Sequence, residues 1–245
     1  MTFSKSRGLW LHGFLGSGRE GEGLFSPWCR ETGPEMLCPT LPGHGLPPEP
    51  AASLTVTLDR IASLAAGRDW AAGYSMGARL LMMAAARHPE AFSTLILESA
   101  ALGFADPDTR KARRELDAER AGRLRNEGLN AVTDWWYTLP LWQGSTPPPE
   151  RQGDPEALAN ALTSFSTGNQ PDMRTWLRST SCRILWLAGE RDRAYVDQAK
   201  EVERTAPRVY VHLIPDAGHN AHHDQPGRWR DAVHTFLNSS PQKEQ

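Results

Sequence analysis

The chain has 245 residues, of which 39% are apolar and 23% charged, with a formal net charge of −2 at pH 7. That balance excludes a disordered or fibrous chain and gives no global pull toward nucleic acid or anionic membranes. No run of 18 apolar residues is present, so no membrane-spanning helix is expected.

Gly8-Leu9-Trp10-Leu11 is a short apolar run halted at His12-Gly13, which predicts a buried strand meeting a glycine turn. Met36-Leu37-Cys38 predicts a second strand, stopped by Pro39 and then by Pro42-Gly43-His44-Gly45, which reads as a plain turn. Residues 57–66 set Leu58, Ile61, Ala62 and Ala65 on one helical face. Trp70-Ala71-Ala72-Gly73 is the third strand. Residues 76–88, rich in Ala, Leu and Met and closed by Pro89, form the next helix. Residues 94–98, 183–188 and 209–214 complete six strands. Residues 228–237 predict a closing helix, followed by a frayed polar tail.

Strands alternating with helices predict a mainly parallel sheet covered on both faces. Residues 102–180 break the pattern, holding no convincing strand over a length too great for a connection. Residues 108–126 are densely charged and predicted helical, Trp135, Trp136 and Trp142 lie close together, and Pro147-Pro148-Pro149 is a stiff break. The expectation is an α/β core from residues 1–101 and 181–245, with residues 102–180 as an inserted helical cap. Cys29, Cys38 and Cys182 are an odd, sparse set that fits a reducing compartment. The short apolar patch at the N-terminus is too brief for a signal peptide, so a cytoplasmic location is expected.

Gly73-Tyr74-Ser75-Met76-Gly77 reads as G-x-S-x-G between a predicted strand and a predicted helix. In that context the pattern marks a serine lifted above a sheet edge on a strained corner, with glycines where side chains would clash. A serine nucleophile or base needs a histidine, and the histidine needs a carboxylate. Asp192 follows the fifth strand and His219 the sixth, in the chain order this architecture uses. Glu190 is the rival acid. The Met76 N–H, at a helix start, and the Phe14 N–H, beyond Gly13, are the expected oxyanion donors. Arg79 comes four residues after Ser75, so both project to one side of the new helix. His219, His222, His223 and Asp224 match no zinc spacing, so no metal is expected. His222 and His223 read as site-rim or surface residues.

These features resemble the α/β-hydrolase superfamily and, within it, the 2-succinyl-6-hydroxy-2,4-cyclohexadiene-1-carboxylate synthase family of menaquinone biosynthesis. The likeness is carried by LHGFLGSG (11–18), LPGHG (41–45), GYSMGAR (73–79), DWWYTLPLW (134–142), GNQPDM (168–173), LAGERD (187–192) and GHNAHHDQP (218–226). It implies a lyase that removes pyruvate from an enolpyruvyl cyclohexene bearing further carboxylates, with Ser75, Asp192 and His219 as its triad and no cofactor. It also implies that Arg79, Arg113 and Arg151 hold the carboxylates of this small-molecule substrate, beside Tyr74 and Trp136. Few residues precede His12, so the first strands of the superfamily's sheet are expected to be reduced or missing. The same triad would serve a serine esterase or a C–C bond hydrolase. The arginine set favours the lyase, since a neutral ester has no use for it.

Overall fold

A computed structural model describes residues 6–29, 33–46, 53–142, 145 and 151–239. The Pro147-Pro148-Pro149 break and the tail beyond residue 239 lie outside them. Six strands form one sheet: β1 (Arg7–Leu11), β2 (Glu35–Leu37), β3 (Trp70–Tyr74), β4 (Thr94–Glu98), β5 (Arg183–Gly189) and β6 (Val209–Ile214). Their order is β2-β1-β3-β4-β5-β6, and every adjacent pair is parallel. The chain leaves β1 toward one edge and returns at β3 on β1's other side. That reversal opens a crevice at the C-terminal ends of β1 and β3, where open α/β sheets bind ligands.

The strand side chains alternate between two cores. Leu9, Leu11, Ala71, Leu95, Leu97 and Trp186 face one layer, made by α2 (Leu54–Ala65), α3 (Met76–Arg87) and α7 (Arg193–Thr205). Trp10, Ala72, Ile96 and Leu187 face the other, made by α1 (Gly18–Cys29) and α9 (Pro226–Asn238), with the four-residue α8 (Ala221–Asp224) just before it. Both faces are covered, which is why the strands read as continuous apolar runs. α2 starts at Ser53, whose side chain accepts the Val56 N–H, a cap worth about 1 kcal/mol. α3 is buried almost throughout, so its Ala, Leu and Met content serves packing as much as propensity.

Between β4 and β5 lie α4 (Pro107–Trp136), α5 (Pro155–Ser164) and α6 (Arg174–Ser179). Asp106 and Asp154 cap α4 and α5 by accepting the N–H groups of Thr109 and Ala157. α4 breaks at Gly128, whose φ of 80° and ψ of 173° are not helical. The helices build their own core from Ala121, Leu124, Val132, Trp136, Leu158 and Leu162. Leu15 and Phe14, from the loop after β1, close its underside. Among the described residues no helix is long and apolar enough to cross a membrane.

Candidate active site

Ser75 occupies the corner between β3 and α3 with φ 48° and ψ −106°, a conformation L-residues rarely adopt. The corner is possible because a Cβ on Gly77 would lie 2.3 Å from the Leu11 carbonyl oxygen, and one on Gly73 would lie 2.7 Å from the Ala78 nitrogen. Ser75 N–H is tied to the Glu98 carbonyl at 2.9 Å. His219 Nε2 lies 3.1 Å from Ser75 Oγ, and His219 Nδ1 lies 2.7 Å from Asp192 Oδ2. Asp192 precedes α7 without capping it, which leaves its carboxylate for the histidine. Glu190 is exposed and takes no part.

The β5 and β6 loops pack backbone to backbone, since a Cβ on Gly189 would lie 2.0 Å from the Gly218 carbonyl oxygen. Ser99, with φ 49°, donates its hydroxyl to the His219 carbonyl at 2.8 Å. The rings of Tyr195 and Trp142 stand 4.6 and 5.5 Å from the His219 ring and shield it from solvent.

The loop after β1 is held by His12. Its Nε2 accepts the Leu41 N–H at 2.9 Å, so Nδ1 carries the proton and donates to the Gly13 carbonyl at 2.7 Å. Burial, then His44 nearby, keeps this imidazole neutral, well below its ordinary range. His44 is more than the plain turn residue expected. It is 4% exposed and packs against the His12 and Phe14 rings at 5.0 and 5.6 Å. Met76 opens α3, where a backbone N–H has no acceptor in the preceding turn. Phe14 and Met76 both border Ser75 in one cavity of about 270 Å³.

The same cavity contains Arg79, Arg113, Arg120 and Trp136. Arg79 is buried and donates to the Phe165 carbonyl at 2.9 Å and to Gln170 Oε1 at 3.4 Å. Both partners are neutral, and among the described residues no carboxylate lies within ion-pair distance of it. Burial and then Arg113 lower its pKa to about 10, so it stays charged at neutral pH. Asp117, 1% exposed, accepts Arg113 Nε at 2.9 Å, Arg120 Nη1 at 3.4 Å and Ser166 Oγ at 2.7 Å. One buried carboxylate thus aims two guanidinium groups into the cavity. The Trp136 ring lies 5.2 Å from Phe14 and 5.3 Å from the Arg120 guanidinium.

Two expected ligand residues stand elsewhere. Arg151 pairs with Glu20 and with the Tyr137 hydroxyl, and lines a neighbouring cavity of about 690 Å³ with His44 and Arg19. Tyr74 is the last residue of β3 and faces the α1–α9 layer. There its ring supports His219 at 5.5 Å and His222 at 4.9 Å, outside the Ser75 cavity. His222 is a correction to the surface reading. It is 6% exposed, and its Nδ1 lies 2.8 Å from an oxygen of the fully buried Glu98. The sequence reading missed Arg120, although 113, 117 and 120 follow the i, i+4, i+7 spacing of one helical face. Among the described residues no three His, Cys, Asp or Glu side chains gather to hold a metal.

A model of the alpha/beta hydrolase family matches residues 9–232. The 2-succinyl-6-hydroxy-2,4-cyclohexadiene-1-carboxylate synthase of Enterobacter sp. (strain 638) is 35% identical over 240 residues, covering 89% of this chain and 86% of that one. The chain belongs to this synthase family of alpha/beta hydrolases. The enzyme of the same name from Yersinia pestis (strain Pestoides F) is 31% identical over 248 residues, covering 95% of this chain and 87% of that one. Among solved structures, MenH from S. aureus superposes with a TM-score of 0.87 at 25% identity, covering 97% of this chain and 94% of that one. The six-stranded parallel sheet flanked by helices is thus the family's fold.

Proposed function

We propose that the chain is a carbon–oxygen lyase of menaquinone biosynthesis. It converts 2-succinyl-5-enolpyruvyl-6-hydroxy-3-cyclohexene-1-carboxylate to 2-succinyl-6-hydroxy-2,4-cyclohexadiene-1-carboxylate and pyruvate. The observation that carries this reading is Arg79: a buried cation one turn from Ser75, bonded among the described residues to neutral oxygens alone, in a cavity that also holds Arg113 and Arg120. A buried guanidinium without a carboxylate partner is completed by an anionic ligand.

In this mechanism His219 Nε2, oriented by Asp192, takes the Ser75 hydroxyl proton. The serine alkoxide removes the ring proton beside the succinyl carbonyl. The electron pair moves onto the carbonyl oxygen, which the Phe14 and Met76 N–H groups stabilise. The enolate then re-forms the carbonyl as a C2=C3 double bond forms, the C3=C4 double bond shifts to C4=C5, and the C5–O bond to enolpyruvate breaks. Protonated His219 returns its proton to the departing enolpyruvate, which tautomerises to pyruvate. Arg79, Arg113 and Arg120 hold carboxylates so that the ring proton stays above Ser75 Oγ. Trp136 and Phe14 form an apolar wall that excludes water. Arg151 is left to its pairing with Glu20, and residues 102–180 act as the cap over the site.

The test supplies the cyclohexene and follows pyruvate by reduction to lactate, with p-nitrophenyl acetate run in parallel. Pyruvate release with little ester hydrolysis is the expected result. Rapid ester hydrolysis without pyruvate would return the chain to the hydrolases.

A further inference from the structure

A second buried polar cluster lies beneath the cavity, at the end of β4. Glu98 has no exposed surface, and a buried carboxylate must find donors. His222 supplies two: its backbone N–H at 3.0 Å and its Nδ1–H at 2.8 Å. The backbone carbonyl of Glu98 accepts the Ser75 N–H at 2.9 Å. The next residue, Ser99, binds the His219 carbonyl through its hydroxyl. One strand end therefore grips the serine by its main chain and the histidine segment by its side chains.

The contact matters because α8, which follows His219, is only four residues long. A single turn does not hold itself together in water. Glu98 bonds it from one side, and Asp224 bonds back to the Gly218 N–H at 2.8 Å. The His222 ring meets Tyr74 at 4.9 Å, and Tyr74 meets His219 at 5.5 Å, so the pair also supports the imidazole from below. Neither Glu98 nor His222 lines the Ser75 cavity.

We infer that Glu98 is a positioning residue that fixes the Ser75–His219 separation, acting through His222 and the Tyr74 ring. The inference rests on Ser75 and His219 being the reacting pair, and not on which substrate they meet.

The test measures the rate at which a small alkyl fluorophosphonate labels Ser75. In that reaction Oγ bonds to phosphorus, fluoride leaves, and the serine proton passes to His219. Glu98→Ala and His222→Ala should each slow labelling about 10²-fold, the scale of a 1 Å misplacement. The double variant should be no slower than either. Glu98→Gln should recover most of the rate, since its amide oxygen still accepts the His222 N–H. With the cyclohexene, kcat should fall while KM holds. Val233→Ala, a core truncation on α9, serves as the control for lost stability. If Glu98→Ala does not fold, His222→Ala decides by the same criterion. Labelling at the wild-type rate, or slowing no greater than in Val233→Ala at equal loss of Tm, would overturn the inference. Labelling needs no cyclohexene, so a chain that labels normally but releases no pyruvate sinks the lyase reading alone.

Discussion

Arg79 follows Ser75 by one helical turn, its N–H on the Ser75 carbonyl at 3.0 Å and its guanidinium in the serine's own cavity. In the proposed mechanism that spacing couples the reacting atom and an anion-binding group through a single rigid turn. Arg79→Ala should lower kcat/KM by about 10²-fold or more, since a desolvated charged hydrogen bond to a carboxylate is lost. Arg79→Lys should recover little, because a point charge cannot reproduce the planar fork. Steady-state kinetics on the cyclohexene check this, and equal activity of Arg79→Ala and wild type would remove the arginine from the mechanism.

Asp192 touches His219 and Glu190 does not. Asp192→Asn should reduce kcat by about 10⁴-fold, as loss of the orienting carboxylate does in serine triads. Glu190→Gln should leave kcat near wild type. The reverse ranking of the two variants would reassign the acid.

Ser75 as a base leaves no oxygen from water in the product, whereas acyl-serine hydrolysis would place one in a new carboxylate. Turnover in ¹⁸O-water should therefore give cyclohexadiene carboxylates free of label by mass spectrometry. Rapid quenching should find no substrate-derived mass on Ser75. An adduct that forms and decays at the turnover rate would restore nucleophilic attack.

Burial pushes the His44 imidazole from its ordinary 6.5 down to about 4, with only the Pro42 carbonyl bond opposing. The unfolded chain takes up a proton between pH 6.5 and 4 that the folded chain refuses. Stability is therefore lost as pH falls through that window. At pH 5 this residue alone should remove about 2 kcal/mol relative to pH 7. Urea unfolding at the two pH values should show a shallower loss in His44→Gln than in wild type. Identical losses would show that His44 is not the group responsible.

The sheet was legible because each strand is a short apolar run cut by Gly or Pro, and both faces are buried. The hydrogen-bonded row of Ser75, His219 and Asp192 was legible because the three residues stand at strand ends in an order the architecture restricts. α1 escaped notice because Gly18, Gly21, Gly23 and Pro27 weaken helix propensity. Packing overrides it: a Cβ on Gly21 would meet the Trp10 ring at 2.1 Å. Arg151 and Tyr74 were placed by likeness to relatives, which carries no information about which way a side chain turns. The Glu98–His222 contact joins residues 124 apart in sequence, and no local pattern announces such a pair.

Arg79 donates to the Phe165 carbonyl at the end of α5, and Gln170, which also bonds Arg79, donates to the Ala101 carbonyl just past β4. A cation carried on α3 thus closes hydrogen bonds with the far end of the helical insertion. Excising or exchanging that insertion would take away both acceptors of the Arg79 guanidinium and open its cavity to water. The insertion is therefore not a detachable module. A core without it would keep the arginine and lose the two oxygens that hold its guanidinium in place.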